Sequence, residues 1–394
     1  MRGYMRAFEI SNDIFWVGGK DWNMRNFHGY ETKRGTTYNA YLMLDEKNVL
    51  IDTVKADFFP QMKQRIESVI PLDKIDILVA NHIEPDHSGG IEKMVEINPA
   101  IRIITNQSGL KALGRHYSIQ NWNIELVKTG DQIKIGKRSL TFVLAPMVHW
   151  PDSMTTYIKE DQILFSNDAF GQHMATAALF DDENPLDIIM EEASKYYANI
   201  VWPYAGPVKK VMSGIHDLSI KMIATSHGVI WRKHISEILQ KYSDWSLGKH
   251  INKAVIVYDS MWGSTEKMAY QVMSTFEKHN IPVTLRNLKH YHVSDVAGEI
   301  LDAKYIAIGS PTLNNTMLPT VSAFVMYIKG LRPTNKYGYI FGSYGWNNSA
   351  LNEIESLLAK LNWVFKKPAR NVEYRPNQED LNQITQDVEE LIRN

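Results

Sequence analysis

The stretch from His82 to His87, His-Ile-Glu-Pro-Asp-His, constrains this chain more than any other segment. It places four potential metal ligands within six residues: His82, Glu84, Asp86 and His87. It follows a mostly apolar run at residues 75–80, typical of a buried strand, and precedes a predicted helix over residues 91–97. A loop after a strand is rigidly held yet reaches open space, which suits metal ligands. Because alternate residues of an extended segment share a face, we expect the first histidine and both carboxylates to converge and His87 to point elsewhere.

A single short run cannot complete a metal site, so further ligands must come from distant parts of the chain. Three candidates each lie just after an apolar, strand-like run: His149, Asp168 and His227. Each residue alone is typical of a surface loop, but several separated runs that all end in ionisable residues favour one shared site. Imidazole and carboxylate ligands suit iron, manganese or zinc, and the chain has no cysteine for a thiolate zinc site. Gathering three carboxylates without counter-charge costs several kcal/mol each, so the set predicts two divalent ions with one bridging carboxylate.

The chain changes character near residues 246–253, where a polar stretch precedes a regular alternation of strands and helices. That alternation predicts a parallel sheet with crossover helices. The part before it starts with strands and continues with strands and helices, which predicts layered sheets with helices outside. A chain of 394 residues is long enough for two domains, which we place at residues 1–250 and 251–394.

Three loops in the second half each follow a predicted strand. The first combines hydroxyls and a glycine with a helix N-terminus, and such a turn favours an anion such as a monoester phosphate, as in FMN. One such turn alone is typical of an ordinary helix cap. Ligands of open parallel sheets bind at the carboxyl ends of strands, so we expect the three loops to meet, with aromatic residues flanking a flavin ring. The loop residues are Ser260, Met261, Trp262, Gly263, Ser264, Thr265, Ser310, Pro311, Thr312, Leu313, Asn314, Asn315, Ser343, Tyr344, Gly345 and Trp346.

Composition excludes several classes of protein. The formal net charge is −1, which argues against a nucleic-acid partner and against a polybasic membrane footprint. No apolar run approaches the length of a membrane span, and the N-terminus lacks the apolar region of a signal peptide, so we expect a cytoplasmic protein with no membrane partner. The absence of cysteine excludes disulfides and a four-cysteine iron site in this chain.

The motif at residues 82–87 resembles the His-x-His-x-Asp-His signature of the metallo-β-lactamase superfamily, with Glu84 at the position of the second histidine. That replacement is similar to the flavodiiron proteins. Three further stretches resemble the same family: Trp150–Met154, Ser166–His173 and Tyr196–Ile200. The three loops of the second half resemble flavodoxin, although Ser260 and Trp262 depart from its common Thr-x-Thr-Gly-x-Thr motif. The chain is therefore identified as a member of the flavodiiron family, most similar to the rubredoxin:oxygen oxidoreductases.

This resemblance implies an α/β and α+β two-domain protein: an αββα metallo-β-lactamase-like sandwich followed by a flavodoxin-like doubly wound parallel sheet. It implies two non-haem iron ions on the seven candidate ligands, and one FMN. The implied reaction reduces dioxygen to water, nitric oxide to nitrous oxide, or both, with electrons from rubredoxin or another soluble donor. A head-to-tail homodimer, or a dimer of such dimers, is also implied. Candidate catalytic residues beyond the iron ligands are His173, Tyr196 and His28, although a residue of this kind is more often a structural hydrogen-bonding residue than an acid or base.

Two other classes of function remain as alternatives at this point. A metal-dependent hydrolase of the metallo-β-lactamase superfamily would use a metal-bound hydroxide, but Glu84 and the flavin loops argue against it. A simple electron carrier would need only residues 254–394 and would leave the first domain without a role. Neither the choice of gas nor the identity of the electron donor follows from the sequence.

Overall fold

The computed structural model describes residues 5–393, which group into two compact units. The first unit holds the residues up to Tyr196 and Gly206–Ser243, and the second holds Tyr197–Ala205 and the residues from Asp244 onward. The domain boundary between residues 250 and 251 stays a prediction, and it does not anticipate that Tyr197–Ala205 belongs with the second unit. Within residues 5–393, no helix combines the length and the apolar character needed to cross a bilayer.

Two main sheets form the first unit. The larger has seven strands, in spatial order Phe8–Ser11, Ile14–Trp16, Tyr41–Met43, Val49–Ile51, Ile77–Val79, Arg102–Thr105 and Asn123–Leu126. The smaller has five, in spatial order Gln132–Lys134, Ser139–Leu144, Met154–Ile158, Ile163–Asn167 and Met222–Thr225. Two short antiparallel ladders are separate from these sheets, and they pair Gly19–Asp21 with Thr36–Tyr38 and Asn26–Phe27 with Tyr30–Glu31.

The central strands of the larger sheet are apolar and buried at every position, so the sheet is covered on both faces there. These strands are Tyr41–Met43, Val49–Ile51 and Ile77–Val79. Tyr41 and Met43 belong to the core that also contains Phe142 and Phe165 of the smaller sheet. Leu42 points to the opposite face and belongs to a second core with residues of the helices, as the twofold side-chain period of a strand requires. The predicted layered sandwich is confirmed.

The helices of this part of the chain are Phe59–Glu67, Pro85–Ser88, Ile91–Ile97, Gln107–His116, Leu186–Tyr196, Ala205–Ile215 and Ile235–Ser246, with a π-helical turn at Tyr197–Val201 and a 3-10 turn at Trp202–Tyr204.

The second unit is built on one parallel sheet, as the alternating sequence predicts. Its strands lie in the spatial order Val283–Asn287, Ile251–Tyr258, Ala303–Gly309, Tyr337–Tyr344 and Val364–Phe365, and Arg370–Glu373 also pairs in parallel with Tyr337–Tyr344. The first strand of this unit in sequence, Ile251–Tyr258, is thus second in space. The order of connection reverses between this strand and Ala303–Gly309, and ligands of such folds bind at that point. The helices of this unit are Ser264–Lys278, Val293–Ile300, Pro319–Leu331, Ser349–Leu358 and Gln378–Ile392.

Candidate metal centre and flavin pocket

The seven predicted metal ligands form two adjacent groups in the first unit. The first group contains His82, Glu84, His149 and Asp168, whose ligand atoms all lie within 4.8 Å of one another. Glu84 Oε2 lies 3.3 Å from His82 Nε2 and 3.2 Å from His149 Nε2. The second group contains Asp86, His87 and His227, and here Asp86 Oδ2 lies 3.2 Å from His227 Nε2. Each group offers the mixture of imidazole and carboxylate that a first-row metal ion binds.

Asp168 faces both groups. Its Oδ2 atom lies 3.2 Å from His149 Nε2 and 3.5 Å from His82 Nε2 in the first group. Its Oδ1 atom lies 3.0 Å from His87 Nε2 and 3.6 Å from His227 Nε2 in the second. The two oxygens of one carboxylate therefore face two separate sets of imidazoles, as a bridging ligand would.

The local backbone explains how six consecutive residues serve two groups. The chain is extended at Glu84, and a short helix then begins at Pro85, whose fixed backbone angle suits a first helical position. The turn carries Asp86 and His87 together to the second group, while His82 and Glu84 remain in the first. The expectation that Asp86 converges with His82 and Glu84 was therefore wrong, because the segment is not extended beyond Glu84, whereas His87 does point away from those two residues.

The polar atoms of these groups fit the binding of cations. Glu84, Asp86 and Asp168 are 4%, 5% and 1% exposed. Both oxygens of Asp86 and Asp168, and both ring nitrogens of His87, are buried, and despite their short separations none meets the geometry of a hydrogen bond within residues 5–393. Leaving such atoms without a partner is costly, and metal ions would supply the missing partners.

The pKa values of the histidines lead to the same conclusion about charge. Burial lowers the pKa of His87, but the neighbouring carboxylates Asp86 and Asp168 outweigh burial and raise it to about 9. Burial likewise opposes protonation of His82, yet hydrogen bonds to Asp152 and Glu84 raise its pKa well above the ordinary value. The carboxylates thus require positive charge beside them, which metal ions provide without protonating the ligands.

Outer contacts orient the imidazoles. Asp152 Oδ2 lies 2.9 Å from His82 Nδ1 and also accepts the backbone N–H of Ile83 at 2.7 Å. His227 Nδ1 lies 2.6 Å from the carbonyl oxygen of Thr37. A carboxylate or carbonyl on the far nitrogen of a metal-binding histidine fixes its tautomer and ring orientation. Asp152 lies in the family-like stretch Trp150–Met154, but no role was predicted for it. Its position three residues after His149 was the available signal.

All three predicted outer residues lie beside the metal-ligand groups. His28 is at the tip of the Asn26–Phe27 and Tyr30–Glu31 hairpin, and its Nε2 atom lies 2.9 Å from Glu84 Oε1. His173 Nδ1 lies 2.8 Å from the Thr36 hydroxyl, and its ring centre is 4.8 Å from that of His227. The Tyr196 ring packs edge-on against His173 at 5.1 Å. The geometry is compatible with the predicted contacts, and the roles of these residues stay predictions.

In the second unit, the three predicted loops meet around a cavity of about 830 Å³. A cavity of this size is sufficient for a cofactor such as FMN. Trp262 and Trp346 are each 90% exposed at its walls, so their faces are available to flank a planar ring. Twelve of the predicted loop residues line the cavity, and three residues that were not predicted do so as well. The twelve are Met261, Trp262, Ser264, Pro311, Thr312, Leu313, Asn314, Asn315, Ser343, Tyr344, Gly345 and Trp346, and the three are Asn347, Tyr374 and Arg375.

The remaining predicted loop residues shape the first loop and join it to the others. Gly263 has φ +83° with open space beside its α-carbon, and the helix Ser264–Lys278 begins directly after it. Ser260 Oγ accepts the backbone N–H of Gly263 at 3.1 Å, which closes the turn.

The Thr265 hydroxyl lies 3.1 Å from the Ser343 hydroxyl and connects the first loop to the third. Ser310 Oγ similarly accepts the N–H of Leu318 at 3.1 Å. Hydroxyls at a helix N-terminus beside a ring-sized cavity fit a flavin monophosphate.

Comparison with known proteins assigns the family. The model of the ODP family beta lactamases matches residues 36–228, and the flavodoxin model matches residues 256–385. The nitric oxide reductase of Moorella thermoacetica is 45% identical over 94% of both chains. The rubredoxin-oxygen oxidoreductase of Megalodesulfovibrio gigas is 40% identical over 96% of both chains. The crystal structure of the flavodiiron protein from Giardia intestinalis matches with a TM-score of 0.96 and 33% identity, over 99% of this chain and 97% of that one.

These matches span nearly the whole chain, so each of these relatives contains counterparts of both units in one chain. The first unit carries the two ligand groups, and the second carries the pocket of a flavodoxin. The chain therefore belongs to the flavodiiron protein family.

Proposed function

We propose that this protein is an oxidoreductase that reduces dioxygen to water, nitric oxide to nitrous oxide, or both, at two non-haem irons. Electrons enter through FMN in the second unit. The observation that carries the proposal is Asp168, whose two oxygens lie 3.2 Å from His149 and 3.0 Å from His87 on opposite groups. Together with a flavodoxin unit in the same chain, this arrangement supports a redox reaction rather than hydrolysis.

The proposed roles of the residues follow from their contacts. Two irons held in the two groups would supply electrons to a bound diatomic gas. Asp168 would hold both irons, and Asp152 would keep His82 Nε2 free to ligate by binding its Nδ1. Both gas reductions consume protons. His28 touches Glu84 at 2.9 Å while its side chain is 72% exposed, so it would position this carboxylate and stand between solvent and the ligand set.

The physiological gas and the electron donor belong to the same proposal. Relatives are named both for nitric oxide and for rubredoxin and oxygen, which supports either gas as substrate and rubredoxin as donor. None of the 394 residues is a cysteine, so these residues do not themselves form a four-cysteine iron donor. Anaerobic turnover with nitric oxide, compared with turnover on dioxygen under the same donor, would decide between the gases. No turnover of either would overturn the proposal.

We propose a head-to-tail homodimer, or a dimer of such dimers, in which the flavin of one subunit serves the irons of another. The family resemblance supports this arrangement, and a cytoplasmic location is proposed on the same basis. Sedimentation velocity of the loaded protein tests the oligomeric state. A monomer with full turnover would contradict it.

The purified protein should contain about two irons and one FMN per chain, because it has two ligand groups and one flavin pocket. Elemental analysis measures the metal, and the visible spectrum of the released flavin measures FMN. Expression in medium supplemented with both iron and zinc lets the two metals compete for the ligand groups. Stoichiometric zinc with little iron would argue for the hydrolase alternative.

Glu84→His should lower iron retention and shift the bound metal toward zinc. The substitution restores the superfamily's histidine-rich pattern, removes one buried negative charge and breaks the contact to His28. Metal content after growth with equal iron and zinc measures the effect, and FMN content of the same samples is the internal control. Unchanged iron and unchanged gas turnover would show that position 84 does not select the metal.

A further inference from the structure

A buried carboxylate stands directly before the loop proposed to hold the FMN phosphate. Asp259 follows the strand Ile251–Tyr258 and is 2% exposed. A negative charge at this point opposes the binding of a phosphate by the next few residues. Its presence therefore calls for a compensating group, which the surrounding contacts identify.

Asp259 ties three segments of the second unit together. Its Oδ1 atom accepts the backbone N–H of Ser260 at 2.6 Å, at the start of the loop. Its Oδ2 atom accepts the Thr320 hydroxyl at 2.5 Å, in the first turn of the helix Pro319–Leu331. The ammonium group of Lys289 lies 3.2 Å from Oδ1, and it also donates to the carbonyl oxygen of Ser260 at 2.5 Å. Lys289 thus neutralises the carboxylate and holds the first peptide of the loop.

Lys289 follows the strand next to Ile251–Tyr258, on the side away from the switch point. It comes just after the strand Val283–Asn287, which pairs with Ile251–Tyr258, and the Leu288 N–H donates to the Tyr258 carbonyl at 2.9 Å. Its side chain is 48% exposed, so solvent screens part of its charge and the expected effect is moderate. The carboxylate it faces is buried, so removal of Lys289 would leave that charge uncompensated.

We propose that Asp259 and Lys289 form a positioning ion pair in which Lys289 cancels the buried carboxylate, so that this pocket accepts a flavin with a phosphate as readily as a loop without an acidic residue would. The inference rests on the proposed FMN site, and it concerns how the chain tolerates an acidic residue beside the phosphate. Lys289 cancels the charge of Asp259, and the pair fixes the direction of the Ser260 peptide at the entrance of the loop.

The test measures flavin affinity rather than enzyme activity. The full-length protein is freed of flavin, and FMN and riboflavin are each titrated by flavin fluorescence. The variants are Lys289→Met, Asp259→Asn and the double variant. Asparagine keeps an oxygen that accepts the Ser260 N–H and offers an amide N–H to the Thr320 hydroxyl oxygen, but it carries no charge. The matched control is Lys278→Met, which removes the same charge at the far end of the helix Ser264–Lys278, about 21 Å from its first residue.

Lys289→Met should weaken FMN binding about tenfold and change riboflavin binding by less than about twofold, since only FMN carries charge near Asp259. The double variant should return to within about threefold of the parent, because the uncompensated carboxylate is gone. Lys278→Met should bind as the parent does. Equal loss for both flavins, or a double variant as weak as Lys289→Met, would overturn the inference. A parent that binds no FMN would instead overturn the proposed function.

Discussion

Replacing Asp168 by alanine should reduce gas turnover by more than about 100-fold while FMN stays bound and is still reduced by the donor. Loss of merely an outer partner of a metal ligand costs about 10–100-fold, and Asp168 contacts both ligand groups. Its removal leaves His87 and His149 without the carboxylate between them, so at least one metal ion should be held more weakly. Iron content, steady-state gas consumption and the rate of flavin bleaching are measured on the same sample.

The control for this experiment is Asp217→Ala, which removes a carboxylate of the same unit whose side chain is 98% exposed. It should keep the iron content and turnover of the parent, because surface ion pairs contribute little. Should Asp168→Ala keep turnover near the parental rate, the metal centre would not be the site of reaction. The flavin would then be the leading candidate.

A fragment of residues 250–394 should fold, bind FMN and accept electrons, yet reduce neither gas at the rate of the whole enzyme. It contains the parallel sheet, its helices and the flavin cavity, and none of the metal ligands. Circular dichroism, FMN titration and gas consumption measure the three properties. Gas reduction at the rate of the parent would refute a separate reaction centre in the first unit.

The structure adds an expectation about the stability of this fragment. Tyr197–Ala205 belongs to the second unit, where Asn199 Nδ2 donates to the Ser294 carbonyl at 3.0 Å and accepts the Tyr327 hydroxyl on Oδ1 at 2.5 Å. The fragment lacks this segment, so its free energy of unfolding should be lower than that of the same unit in the whole chain. Urea unfolding, monitored by the release of flavin, compares the fragment with the whole chain. A synthetic peptide of residues 197–205, added to the fragment, serves as the matched control.

Local patterns account for most of the residues that were expected to share a site and that the structure brings together. All seven metal-ligand candidates lie in segments that follow apolar strands, and strand ends are where a sandwich gathers polar side chains. The flavin loops followed from the same logic in a parallel sheet. Two ions with one bridging carboxylate were predicted, but the assignment of ligands to each group was not, because it depends on a helical turn at Pro85 that begins within the motif.

The features that were missed depend on contacts between distant residues. Asp152 acts on His82, which lies 70 residues earlier, and an isolated aspartate carries no local signature of that role. Tyr374 reaches the flavin cavity because it directly follows the strand Arg370–Glu373, which pairs with Tyr337–Tyr344, and its N–H donates to the Tyr344 carbonyl at 2.7 Å. The placement of Tyr197–Ala205 with the second unit is likewise a tertiary property. No periodicity in the sequence predicts this placement.

The position of Asp168 has a consequence for how the centre acquires its metals. One carboxylate serves two ligand groups, so the first ion to bind aligns and desolvates a ligand that the second ion also uses. The two binding events would then share a coupling free energy, so each ion would change the affinity of the protein for the other by the same factor. We expect the populations of empty, singly loaded and fully loaded chains to differ from those of two independent sites, and a metal titration measures the difference.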